Sequence, residues 1–540
     1  MKALTAAEMR HVDIATSQRF GISSLQLMEA AGAAVAAVVR RVTKTGLGGF
    51  ARRVCVLCGK GNNGGDGFVA VRHLKNDETV VQVYLFGEIT EVRGDAAANL
   101  RRWTESGGRL SVVRDEASWS AAFREIAESE VIVDAMLGTG LNGGASGTIL
   151  RAIEDINRWS DHARTARTAL IVAVDTPSGL PSDGQAAEGP VLFAHHTVTF
   201  TAPKVGQLIS KNCDAAGALE VVDIGSPREL VEEVGHGSLR WSEPEEFARL
   251  PLIRAVDSNK GMYGHVLVGA GSVGKSGAAI LCGEAALRAG AGLVTIATPD
   301  PVLEVVASSC AELMTEPLAS TQAGTISLRN ADGDRFKHLS AGKSVLAVGP
   351  GLGQHPETQE FIRKIVLETK LPIVLDADGL NAFAGRIDAL RECKTKFVAI
   401  TPHPGEMARL LGTSIDVVQR ARVKTAQDVA RRCNAHVVLK GFHTVIAGPT
   451  GEVFINTNGN PGLAKGGSGD VLTGILAALT GQFKMDDWSR VLALGVYLHG
   501  AAADIAASLG SDASGLLANE VAKSVPKARL QLVQELQRRG

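Results

Sequence analysis

Two successive series of short apolar runs, each run separated from the next by a helical length, govern what this chain can fold into. Runs that are apolar throughout belong to strands buried on both faces, and helical spacing between them is what parallel pairing requires. The first series has runs at 54–57, 80–86, 131–135, 170–174 and 197–201, preceded by an apolar helix over about 25–42. The second has runs at 265–268, 293–297, 345–348, 373–375, 397–400 and 436–439, and closes with helices over 470–481 and 488–508. Between the two lies PRELVEEVGHGSLRWSEPEEFARLP, rich in Pro, Gly and Glu and without a sustained strand pattern. The sequence therefore predicts an α/β protein with two domains, 1–225 and 258–540, joined by a linker over 226–257. A chain of 540 residues is long enough to give each domain its own core.

Composition narrows the function classes. With 56 Lys and Arg against 57 Asp and Glu, no global field recruits nucleic acid or an anionic membrane. Aromatics make up only 4% of the residues, too few for base-stacking platforms. The start MKALTAAEMRHVD carries charges where a signal peptide needs its apolar stretch. Charge-free apolar stretches such as VLALGVYLHGAAA fall short of the ~18 to 20 residues that cross a bilayer. Seven irregularly spaced cysteines make no disulfide framework. Cys55 and Cys58 form a CxxC, but on a strand residues three apart face opposite sides, so these thiols are expected to diverge. The expectation is a soluble cytoplasmic protein with neither nucleic acid nor membrane as partner. The anomaly is 61 glycines, well above average usage, and they gather at the ends of the apolar runs.

In the first series GKGNNGGDG follows the run VCVL and precedes the helical stretch FVAVRHL. In an open parallel sheet, ligands bind at the carboxyl ends of strands, where glycines let backbone amides approach a phosphate. Five glycines with Asn62, Asn63 and Asp66 exceed what a tight turn needs. Two further run ends carry similar chemistry: Asp134 with the loop 138–144, and Asp175 with Ser178. Each Asp alone suits a helix cap as well as a ligand or base; three converging ends point to one crevice.

In the second series GAGSVGKS satisfies both GxGxxG and the Walker A pattern, through Gly269, Gly271, Gly274, Lys275 and Ser276. Asp300 comes too late for the ribose contact of a dinucleotide fingerprint, while IVLDAD is available as a Walker B strand, so the P-loop reading stands on local grounds. A different site is indicated by GGSGDVLTGIL. Gly466, Gly467 and Gly469 precede Asp470, and Val471, Leu472, Ile475, Leu476 and Leu479 mark a helical face. Free amides and the helix dipole there suit charge developing on a transferring phosphoryl group. Asp470, expected to be kept ionised by that dipole, is placed to accept a hydroxyl proton.

LTAAEMR, LMEAAG, GKGNNGGDG, DAMLGTGL, DTPSGL and TAPKVGQL, over most of residues 3–225, resemble NAD(P)H-hydrate epimerases. The elements KGMYGHVLVGAGS, GAAILCGEAALRAGAGLV, AVGPGLG, LDADGLN, TPHPGEMARLL, VVLKG and NPGLAKGGSGDVLTGIL, over about 258–510, resemble the ADP-dependent NAD(P)H-hydrate dehydratases. The resemblance implies two three-layer α/β/α domains, Rossmann-like in the N-terminal half and ribokinase-like in the C-terminal half. In the first it implies hydrated dinucleotide held by Asn62, Asn63, Gly64, Gly65 and Asp66 and by Gly138, Thr139, Gly140, Leu141, Asn142, Gly143 and Gly144. It implies K⁺ on Asn63, Asp134 and Ser178, and Asp175 beside the reacting ring as a catalytic carboxylate. In the second it implies dinucleotide contacts at Ala278, Gly353, His403 and Asp470, with Asp470 as catalytic base. Lys440, Gly441, Phe442, His443 and Thr444 would hold the nucleotide phosphates of ADP, which brings Mg²⁺, and Gly469 would also touch that nucleotide. Lys465 stands where relatives often have Thr. Against so many ordered matches the Walker pattern at Lys275 is coincidental, and the remaining cysteines read as packing residues. The implied activity is epimerisation of the R and S hydrates at C6 and ADP-dependent dehydration of the S form, in a homo-oligomer. A ribokinase-like small-molecule kinase fused to a non-catalytic nucleotide-binding module fits the same elements and differs in its products.

Overall fold

Strand β1 (Arg53–Cys58) is the starting point of the N-terminal unit, Lys2–Gly237. The computed structural model describes the chain except for residues 47, 48, 50, 76–78, 141, 142, 167, 168, 333, 484–486, 510, 511 and 540, and leaves undescribed the side chains of 46, 161–166 and 539. After β1 come β2 (Val80–Phe86), β3 (Arg109–Val113), β4 (Val131–Ala135), β5 (Leu170–Val174), β6 (His196–Phe200) and β7 (Ala218–Val222). Their order across the sheet is β3-β2-β1-β4-β5-β6-β7, with every pairing parallel. The winding reverses between β1 and β4, and such a switch point opens a crevice at the strands' carboxyl ends. Helices cover both faces, over one core containing Val56, Cys58 and Phe68 and another containing Cys55, Leu57 and Trp119. Cys55 and Cys58 thus lie in opposite layers, and all seven cysteines are free.

The C-terminal unit comprises Ser238–Gly540 together with Met1. Its strands are β8 (Leu239–Trp241), β9 (His265–Gly269), β10 (Leu293–Pro299), β11 (Met314–Leu318), β12 (Val345–Val348), β13 (Ile373–Leu375), β14 (Val398–Ile400), β15 (His436–Leu439), β16 (Thr444–Ala447) and β17 (Val453–Asn456). They order as β11-β10-β9-β12-β13-β14-β15-β16-β17-β8. Pairing is parallel from β11 to β15, antiparallel on both sides of β16, and parallel between β17 and β8. The reversal here falls between β9 and β12.

The helix Ser468–Gln482 crosses Ser276–Arg288 closely enough that a Cβ on Gly474 would stand 2.1 Å from the Cys282 carbonyl oxygen. Helix Trp488–Ser508 is long and apolar enough to cross a membrane by length and composition, contrary to the sequence expectation, and here most of it is buried in the core of its unit. Residues 226–257 are more than a linker: they contain the helix Arg228–Val234 and the strand β8, and the division between units falls at Gly237 and Ser238. Three residues of β8 are too few to register as a sequence pattern, yet β17 gives them a partner.

Candidate active sites

The segment 62–66 is not a free loop. It is the first turn of the helix Asn62–Leu74, with Gly64 so close to the end of β1 that a Cβ would stand 2.0 Å from the Gly59 carbonyl oxygen. Only glycine permits that approach. The turn faces a cavity of about 610 Å³, whose wall includes Asn62, Asn63, Asp66, Gly138, Thr139, Gly140 and Asp175. Gly65 instead packs against Met28. Gly143 and Gly144 lie beside Glu188 and are absent from that wall, so among the described residues of 138–144 the wall takes Gly138, Thr139 and Gly140; Leu141 and Asn142 lie outside the described residues.

Behind the wall Asn63, Asp134 and Ser178 meet around Leu137. Asn63 Nδ2 donates to the Leu137 carbonyl (3.0 Å), and Ser178 Oγ donates to Asp134 Oδ1 (2.6 Å) while accepting from the Leu137 amide (3.0 Å). Asp134 and Ser178 are fully buried, and burial pushes the Asp134 carboxyl up to about 6 against its hydrogen bonds. Asn63 Oδ1 is buried without a partner. An orphaned amide oxygen beside a buried carboxylate and a hydroxyl is a hard-oxygen set that fits an alkali cation.

Asp175 follows β5 in the left-handed conformation, φ +60°. Its Oδ1 accepts from the Lys204 ammonium and from Thr199 Oγ1 (3.0 Å), and its carbonyl accepts from Gln207 Nε2 (2.6 Å). Lys204 is 1% exposed and spends its other donors on Thr199 Oγ1 (2.8 Å) and the Phe200 carbonyl (3.3 Å). Asp13, from the helix Ala6–Phe20, lines the same cavity, and burial pushes its carboxyl up to about 6. Burial, with Asp175 and Asp13 nearby, raises Asp66 well above the usual carboxylate range. Neither Asp13 nor Lys204 announced itself in the sequence: Lys204 stands in the quoted TAPKVGQL, but no local pattern separates it from a surface lysine.

In the C-terminal unit, Asp470 lies in the first turn of Ser468–Gln482, capped by Gly467 at φ +92°. The sequence expectation that the dipole keeps Asp470 ionised is overturned. Burial, reinforced by Asp376, pushes its carboxyl up to about 7 despite the opposing Lys440. Asp376 sits after β13; its two oxygens accept from Lys440 Nζ (2.8 Å) and Thr473 Oγ1 (2.7 Å). Lys440 also lies 3.7 Å from Glu406, and although burial works against its charge, Asp376 and Glu406 raise its pKa. Its Nζ is 3.4 Å from where a Cβ on Gly469 would stand, so Lys440 reaches the mouth of the helix from within the protein.

The rest of the 440–444 loop is tied by Arg422, which donates to the carbonyls of Leu439 (3.2 Å), Lys440 (3.3 Å) and Phe442. Phe442 is exposed and stacks on His443, their ring centroids 4.1 Å apart; Thr444 begins β16. Ala278 packs near Gly351, and the Gly353 amide donates to Asp378 Oδ2 (2.8 Å). His403 caps the helix Pro404–Leu411, its Nδ1 accepting from the amides of Gly405 (3.0 Å) and Glu406 (3.3 Å).

A chain with a lysine-clamped carboxylate at a switch-point cavity in one unit, and a carboxyl at a glycine-capped helix mouth in the other, matches known sequences over most of its length. A family model described as NAD(P)H-hydrate dehydratase matches residues 266–527, and one described as YjeF-related protein N-terminus matches residues 24–206. A bifunctional NAD(P)H-hydrate repair enzyme of Moorella thermoacetica is 42% identical over 507 residues, 94% of this chain and 93% of the relative. The chain belongs to the bifunctional NAD(P)H-hydrate repair enzymes.

A repair enzyme of the same family from Thermofilum pendens is 36% identical over 98% of this chain and 96% of its own. A solved ADP/ATP-dependent NAD(P)H-hydrate dehydratase of Bacillus subtilis is 32% identical, with TM-score 0.48, and covers 54% of this chain and 98% of that one. In this repair enzyme the Walker-like pattern can be judged by its amides. Those of Gly271, Val273 and Lys275 donate to the carbonyls of Pro350 (2.9 Å), Gly324 (3.1 Å) and Ser272 (2.8 Å), and Lys275 Nζ points to Asp378 (3.4 Å). Three of the amides that a phosphate cradle would use are thus already paired with backbone carbonyls. Asp376 and Glu406 are the functional neighbours that sequence reasoning missed; both sat inside quoted elements, LDADGLN and TPHPGEMARLL, without a role.

Proposed function

We propose that the chain repairs hydrated NADH and NADPH in two steps, the N-terminal unit interconverting the R and S hydrates at C6 and the C-terminal unit dehydrating the S form at the expense of ADP. The observation that carries this reading is Asp470, a carboxyl poised at about 7 in the mouth of a glycine-capped helix. A base working near neutrality needs a pKa near the working pH. Asp470 takes the proton of the C6 hydroxyl as that oxygen attacks the β-phosphorus of ADP, and AMP leaves. The amides at the start of Ser468–Gln482, with Lys440 held beside Gly469, stabilise the transferring phosphoryl group. Phosphate then leaves C6 as a proton leaves C5, which restores the ring double bond.

Among the described residues no three His, Cys, Asp or Glu side chains form a metal cage. The hard oxygens of Asp470 and Asp376 would face a Mg²⁺ carried by the nucleotide, which would supply neutralisation of phosphate charge. Potassium would sit on Asn63, Asp134 and Ser178 and brace the wall of the epimerase cavity. Ala278, Gly353 and His403 would contact the hydrate, and Gly441, Phe442, His443 and Thr444 the nucleotide. Cytoplasmic residence and a homo-oligomer belong to the same reading.

Incubating the protein with mixed hydrate epimers and ADP or ATP tests the proposal. The expected result is recovery of the near-ultraviolet absorbance of the reduced nicotinamide with release of inorganic phosphate; a stable phosphorylated product would instead identify a kinase. Asp175→Asn is expected to slow consumption of the R hydrate alone by roughly a hundredfold or more. Equal consumption of both epimers by that variant would show that Asp175 is not needed.

A further inference from the structure

We propose that Asp13 is a catalytic residue of the epimerase site, exchanging a proton with the C6 oxygen while Asp66 serves the opposite face of the ring. The inference rests on the epimerase reading of the N-terminal unit and adds a residue outside the matched family region 24–206. Asp13 comes from a helix stitched to the segment that carries Lys204. Leu4 forms a parallel bridge with Lys204, the Leu4 amide donates to the Pro203 carbonyl (2.9 Å), and the Val205 amide donates to the Leu4 carbonyl (3.0 Å). The helix begins at Ala6, so its position is set relative to Lys204 and Asp175, and Met9, Arg10 and Asp13 share the face that lines the cavity.

The surroundings of the three carboxyls differ. Asp175 gives Oδ1 to the buried Lys204 ammonium and to the Thr199 hydroxyl. The side chains of Asp13 and Asp66 accept no hydrogen bond from the described residues, and both face the cavity. Burial, with Asp175 nearby, raises both of these carboxyls, Asp66 further than Asp13, so Asp66 holds a proton where Asp13 has already lost its own. The other charged groups on the wall are Arg10, Lys60, which is paired with Glu91 at 3.0 Å, and Asp95.

The chemistry balances. Protonated Asp66 gives its proton to the C6 hydroxyl oxygen as the C6–O bond breaks, and the bonding pair leaves with water. The N1 lone pair forms an N1=C6 iminium beside Asp175. Water adds to the opposite face of C6 and gives its extra proton to Asp13, and the reverse epimerisation exchanges the two roles.

The test uses the full chain, pure R hydrate, Asp13→Asn and Asp13→Glu, with the rate of R-to-S conversion followed against pH above the uncatalysed background. Asp13→Asn is expected to lose about a hundredfold in rate, with Asp13→Glu recovering part of it, and the wild-type rate is expected to fall on both sides of a maximum. A loss smaller than tenfold in Asp13→Asn, or a wild-type rate that only rises toward acid, overturns the role of Asp13. If Asp13→Asn lacks the wild-type unfolding transition, the shape of the wild-type pH profile decides alone. A wild-type chain that leaves pure R hydrate unconverted removes the epimerase reading itself, a different result from an active wild type with an active variant.

Discussion

Asp470→Asn lowers ADP-dependent phosphate release by roughly a hundredfold to ten-thousandfold, the span of general-base catalysis, while R and S hydrates continue to equilibrate. The amide keeps the shape of the helix mouth but cannot take the hydroxyl proton. In the wild type the same group sets the pH dependence. Its folded pKa of about 7 lies above the ordinary value, so the base is protonated below neutrality, and dehydration accelerates as pH rises through about 7. The stability linkage runs the opposite way: a raised carboxyl pKa means the folded state retains its proton, so stability is lost as pH rises from the ordinary aspartate value of 3.8 through about 7. Asp470→Asn is therefore expected to unfold at a higher temperature than the wild type at pH 8, and calorimetry at that pH separates loss of the base from loss of the fold. Retained phosphate release would remove Asp470 from the mechanism.

Lys204→Met destabilises the N-terminal unit by about 3 to 5 kcal/mol, the usual cost of stranding one member of a buried ion pair. The methionine fills much of the space, but Asp175 keeps a charge inside the protein with only Thr199 Oγ1 left to satisfy Oδ1. Pairing it with Asp175→Asn removes that charge, so the double variant is expected to recover most of the lost stability without recovering epimerisation. Denaturant unfolding of both single variants and the double variant closes the cycle. If the double variant is as unstable as the sum of the two singles, Lys204 acts through packing and not through Asp175.

The strands that were legible in the sequence are those buried on both faces, because their apolar runs are uninterrupted. Those it missed are compromised by exposure or length. β3 is RLSVV and β7 is ALEVV, each only partly buried, β11 is MTEPL with a proline and an exposed edge, and β16, β17 and β8 are three or four residues each. The glycine-rich strand ends were equally legible, since glycine and an acid after a strand are local signals. Asp13, Lys204, Asp376 and Glu406 were not, because what each does depends on a partner 29 or more positions away in the case of Lys204 and Asp175, or 64 in the case of Lys440 and Asp376. The protonation of Asp470 failed for the same reason: the dipole is visible in the sequence, but the burial and the Asp376 charge that outweigh it arise only in the folded unit.

Strand β8 also fixes where the dehydratase half can be separated from the rest of the polypeptide. It pairs with β17 through Leu239, Arg240 and Trp241, and Trp241 Nε1 donates to Thr457 Oγ1 at 2.8 Å. A recombinant fragment begun at residue 258 would leave the backbone of Val453, Phe454 and Ile455 as a bare apolar margin, open to the same margin of another molecule. Cutting between Gly237 and Ser238 keeps the margin capped, so shelf life and solubility of the isolated half are decided by three residues that contribute nothing to its chemistry.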